Sequence, residues 1–110
     1  MIYHLVPRVD WETVLDAKDY RGDSLETEGF IHCSTWEQLL GVANHWFPGR
    51  DDLLLLKIDP SMLSAQIKYE DGGDGQLFPH VYGPIEKHAV VAVEEFPLGL
   101  DGRFERVPNL

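Results

Sequence analysis

The chain has 110 residues, 44% of them hydrophobic, with nine basic against nineteen acidic residues and a formal charge of -10. That length is read as one domain, residues 1–110, large enough to bury a core without staples, and the acidic balance argues against a duplex or long single strand as partner. A single cysteine, Cys33, excludes an intramolecular disulfide and a four-cysteine zinc site, and the apolar runs Leu53–Leu56 and Ala89–Val93 fall far short of the ~20 residues that span a bilayer.

Residues 2–6 alternate and are rich in strand formers, which predicts a first strand with Ile2, His4 and Val6 on one face. A histidine among apolar residues is ordinarily a core residue bonded to backbone. Residues 1–8 lack a basic segment followed by a long apolar one, so no signal peptide is read there. A soluble, cytoplasmic protein is expected. Pro7 ends the strand. Asp10 is placed to cap a helix whose apolar stripe runs through Trp11, Val14 and Leu15 to the stem of Lys18. Residues 19–23 read as a turn, and Ser24–Glu28 as one helical turn stopped at Gly29.

Phe30–Cys33 is expected as a second strand running into a helix. Thr35 and Gln38 fit a capping box. Trp36, Leu39, Leu40, Ala43, Trp46 and Phe47 then form one apolar stripe that Pro48-Gly49 ends. Leu53–Asp59 has the length and borders of a central strand covered on both faces. Pro60–Leu63 is a short helical turn with Asp59 as cap. Gln66–Glu70 alternates as a strand, and Asp71–Gly75 is a loop. Phe78–Ile85, interrupted by Pro79 and Pro84, reads as an edge strand or a bent extended segment. Ala89–Phe96 is strongly strand-like, and residues 103–107 follow a turn as a last short strand. About six strands and two main helices make an α+β fold built on small mixed sheets.

His45 lies within the long helix with no visible partner, His88 sits in a charged connection beside Glu86 and Lys87, and both read as surface residues. His4, His32 and His80 each lie in a strand-like stretch, so the three are expected to converge on one hollow beside the residue that starts the long helix. Three histidines can hold zinc, although no two have the spacing of a local metal motif. Cys33 follows His32 directly, and neighbouring strand residues point to opposite faces, which removes the pair as a nucleophile and its base. His32 does share a face with Phe30 and Ser34. With Thr35 at the helix start, these offer donors and acceptors to a small ligand. His80 and Tyr82 share a face of their own segment beside Gly83. Glu70, at a strand end before a glycine loop, is the best-placed carboxylate.

The segments Ile2–Leu5, Gly29–Thr35 with Gln38, Leu54-Leu55 with Ile58-Asp59, and Phe78–Ile85 with Ala89-Val90, in that order, resemble the bacterial domain of unknown function family 952 along nearly the whole chain. The fold of that family is thought to be similar to that of the ADP-ribosyltransferases, including the RNA 2'-phosphotransferase branch. The resemblance implies a cleft between two small sheets that takes NAD or a related small nucleotide. It implies His4 at the first motif position, His32 and Ser34 at the second, and Glu70 or His80 at the third. On that reading His4, His32, Ser34 and Thr35 hold the ligand, Tyr82 stacks on a base or nicotinamide, and Glu70 or His80 stabilises an oxocarbenium-like centre. Arg8, Arg21 and Arg50 are isolated, which disfavours an RNA substrate. A non-catalytic binding module on the same scaffold is the alternative, and a metalloenzyme using His4, His32 and His80 is a third.

Overall fold

The alternating residues near the N-terminus form a first strand, β1 (Ile2–Pro7), which pairs antiparallel with the apolar run Leu53–Ile58.

 The structure is a computed structural model and describes residues 1–108.

After β1 come α1 (Arg8–Glu12), β2 (Asp19–Tyr20), α2 (Gly22–Glu28) and β3 (Ile31–His32). A 3-10 turn at Trp36–Gln38 then leads into α3 (Leu39–Trp46). The second half holds β4 (Leu53–Ile58), β5 (Gln66–Asp71), β6 (Leu77–Tyr82), β7 (Ile85–Glu86) and β8 (Val90–Glu95). Three antiparallel sheets result, ordered β1-β4-β8, β2-β7 and β3-β6-β5. The fold is α+β, with eight strands among the described residues rather than about six; the two extra are β2 and β7. Each has two residues, too short to show a period.

β4 is central and buried on both faces, as its unbroken apolar run requires. On one side Leu54, Leu56 and Ile58 join Ile2, Val6, Ile31 and Val81 in a core that underlies the third sheet. On the other, Leu53 and Leu55 pack with Tyr3, Leu5, Leu39, Ala43, Phe96 and Phe104. α3 covers this second core with Leu39 and Ala43. Leu40 and Phe47 sit partly buried beside them, and Trp46 points outward. Thr35 and Gln38 close the expected capping box, Gln38 Oε1 accepting the Thr35 N–H at 2.9 Å.

Four expectations are corrected. The first helix starts at Arg8 and ends at Glu12, so Asp10 lies inside it rather than capping it. Leu15 and Lys18 are exposed, and residues beyond Thr13 turn with i to i+3 bonds such as Val14 N–H to Trp11 C=O. The Lys87 ammonium donates to the Val14 carbonyl there, taking an acceptor that a longer helix would use. The ladder of the second strand holds Ile31 and His32 alone. Cys33 N–H still reaches Pro79 C=O, and Ser34 leaves to pair with Tyr3 in β1.

Pro79 lies inside β6, the middle strand of its sheet, so this segment is not an edge strand. Its carbonyl faces β3, and its ring nitrogen therefore faces the same way, toward chain that is already leaving the ladder. Gly83 and Pro84 then separate β6 from β7. Lastly, residues 103–107 form no strand. Asn44 holds this segment instead: its Nδ2 donates to Phe104 C=O and its Oδ1 accepts Phe104 N–H, both at 2.9 Å. Phe104 is thereby seated on Phe96.

Candidate functional site

The sheet β3-β6-β5 has one face in the first core and one open. Ile31, Val81 and Ile67 point inward from the three strands. Alternation sends their neighbours outward. His32 stands opposite His80, and His80 stands opposite Lys68, so these three form a row across the sheet. Glu70 and Tyr82 lie on the same face. The two faces recognised separately in the sequence, that of Phe30 and His32 and that of His80 and Tyr82, are therefore one surface.

Phe30 is its floor. Its ring stacks on His80 at 4.1 Å between centroids and 17°, meets His32 edge-on at 4.8 Å, and lies 5.2 Å from Tyr82. The His32 and His80 rings are 5.4 Å apart. Each imidazole has its own carboxylate. His32 Nε2 donates to Glu28 Oε2 at 2.8 Å, and His80 Nδ1 donates to Glu70 Oε1 at 2.9 Å. Glu70 Oε1 also accepts the Tyr82 hydroxyl at 2.6 Å. These two donors, Tyr82 first, hold the Glu70 carboxyl below its usual range, and the same bond raises the Tyr82 phenol.

A carboxylate on Nδ1 fixes the His80 ring and leaves Nε2 as the nitrogen that faces outward. No fully buried side-chain nitrogen or oxygen among the described residues lacks a partner, so the unpartnered His80 Nε2 reaches the surface although the residue is otherwise buried. An aromatic floor, a fixed imidazole and an ionised carboxylate at an open edge can bind a planar group, accept a proton and stabilise developing positive charge.

His4 stands apart. Its Nδ1–H donates to the His32 carbonyl at 2.6 Å, and its Nε2 accepts the Tyr20 hydroxyl at 3.0 Å. A carbonyl can only accept, so the tautomer is fixed. Burial is the main reason that its pKa is pushed down to about 4. Burial also raises the Tyr20 phenol and the Cys33 thiol. Thus the three imidazoles do not ring one hollow: two meet on the sheet face, and the third braces β3 through its backbone. Ser34 is buried and bonded through its backbone to Tyr3, and Thr35 serves the helix cap. Among the described residues no hydrogen bond ties either to an imidazole, and no three His, Cys, Asp or Glu side chains are grouped to hold a metal ion. Two hollows, of about 310 and 460 Å³, lie at the C-terminal segment around Pro97 and Arg106, away from the imidazoles.

Sequence reasoning missed Glu28, Lys68 and Tyr20. Glu28 precedes His32 by one turn's spacing across Gly29, whose φ of 87° swings the chain back on itself. Lys68 was open to alternation, two residues before Glu70. Tyr20 had no local signal, because its contact with His4 depends on β2 meeting β7.

The family model described as protein of unknown function (DUF952) matches residues 5–93. Among solved structures, the crystal structure of protein CC0527 from Caulobacter crescentus is similar at a TM-score of 0.85 and 30% identity, over 94% of this chain and 92% of that one. A double mutant of it gives 0.84 at 28% identity, with 94% and 92% covered. Its solution NMR structure gives 0.81 at 30% identity, with 94% and 90% covered. No curated protein matches. Among the described residues no helix is long and apolar enough to cross a membrane.

Proposed function

We propose a function on the premise that this chain belongs to the DUF952 family: it binds NAD or a related small nucleotide on the open face of β3-β6-β5, in the manner of the ADP-ribosyltransferases. The observation that carries the reading is the Glu70 carboxylate, held by both Tyr82 and His80 at the edge of an aromatic floor. Tyr82 supplies a ring for a base or nicotinamide to stack on. His32, half-exposed beside it, offers hydrogen bonds to ribose hydroxyls. Glu70 stabilises an oxocarbenium-like centre, and His80 holds Glu70 in place. Ser34 and Thr35 lie at the approach to α3, and His4 supports His32 from behind.

Isothermal titration with NAD and ADP-ribose tests this. Binding that falls about tenfold or more in Glu70→Gln, the scale of a lost charged hydrogen bond, is the expected result. No heat and no thermal shift at millimolar ligand overturns it. Incubation with NAD and an assay for released nicotinamide separates the enzyme from a binding module on the same fold. One observation favours the module: Glu70 Oε1 already accepts two bonds from the protein itself.

A further inference from the structure

We infer that the Tyr82–Glu70 corner is a subsite for an organic cation, and that Lys68 is an internal ammonium which fills it when no ligand is bound. The inference rests on the reading of this sheet face as a ligand surface, and it names the charge of the group taken there.

The Lys68 Nζ sits 4.7 Å from the centroid of the Tyr82 ring. A cation over an aromatic face is attracted by the negative π-cloud, more so as water is excluded. Two features of this ring strengthen the attraction. Its hydroxyl donates to an ionised carboxylate, Glu70, which adds electron density to the phenol and places a negative charge at the ring's edge. One side of it is aromatic, with Phe30 against it and His80 stacked on Phe30.

The charge of the face agrees. Setting the two imidazoles aside, Glu28 and Glu70 place two carboxylates there against the single ammonium of Lys68, in a chain whose formal charge is -10. Displacing Lys68 into solvent leaves a ring and a carboxylate that suit a group with delocalised or quaternary positive charge. Lys68 is exposed on β5, at the edge of its sheet, with a flexible stem that can swing clear. It therefore competes with a cationic ligand, whereas it would assist an anionic one.

The test is a titration of the full chain with N-methylpyridinium, read from the Tyr82 ring resonances, in the parent, Lys68→Met and Glu70→Gln. ADP-ribose, which lacks a pyridinium, is titrated in parallel. Lys68→Met is expected to bind N-methylpyridinium about two- to five-fold more tightly, the ratio set by removing one exposed cation–π contact. Glu70→Gln is expected to weaken it. An unchanged or weakened affinity in Lys68→Met overturns the inference. Its failure while ADP-ribose still binds leaves the nucleotide reading standing. Tightened pyridinium binding without ADP-ribose binding supports the cation subsite and removes the nucleotide reading. Failure of both ligands removes both.

Discussion

His4 makes folding stability depend on pH through its burial. Folded, its pKa is about 4 against an ordinary 6.5. Above pH 6.5 neither the folded nor the unfolded chain holds the proton, so the full stability is present. Below it the unfolded chain takes the proton while the folded one does not until about 4, and stability is lost across that interval. At about 1.4 kcal/mol per pH unit, lowering the pH from roughly 7.5 to 4.5 removes about 2.5 kcal/mol. His4→Gln is the control. Its amide nitrogen can donate to the His32 carbonyl and its oxygen can accept the Tyr20 hydroxyl, and it does not titrate. Urea unfolding of both proteins at the two pH values gives the difference, with carboxylate effects common to both cancelling. A fall in stability that is equal in parent and His4→Gln would refute the assignment of a neutral, two-sided hydrogen-bonded imidazole.

Asn44→Ala removes both hydrogen bonds to Phe104; a loss of about 1–3 kcal/mol is expected, with faster amide exchange through residues 98–107. Gly83→Ala places a Cβ 2.8 Å from the Ala65 Cβ, an overpacking that should cost about 1–3 kcal/mol, and thermal unfolding should show Ala65→Gly restoring most of it. Thr35→Ala opens the capping box and should lower stability by about 1 kcal/mol, while Thr35→Ser should retain most of it.

Alternation made the members of the candidate site legible one strand at a time. Phe30 and His32 share a parity, His80 and Tyr82 share another, and Glu70 ends its strand. What the pattern did not contain was that β3 and β6 pair with His32 opposite His80, because register between distant strands is set by the whole core. The expected convergence of His4 with the other two imidazoles failed for the same reason, although it is a histidine bonded to backbone as its strand face implied. Its strand face was read correctly as apolar, but its partners are the backbone of β3 and a tyrosine in a two-residue strand. The buried run of β4 was legible because an apolar stretch bounded by Asp51-Asp52 and Pro60 suits little else. Pro79 misled, since the rule that excludes proline from central strands relaxes where the neighbouring strand has ended. The fate of residues 103–107 was set by Asn44, a polar residue on the edge of a helix stripe that hydrophobic periodicity does not count.

The reciprocal pair of backbone bonds between Tyr3 and Ser34, at 2.9 and 2.7 Å, stitches two sheets at one rung, next to the bond from His4 to the His32 carbonyl. The short stretch from Ile31 to Ser34 thus bonds to β6 at one end and to the first strand of the chain at the other.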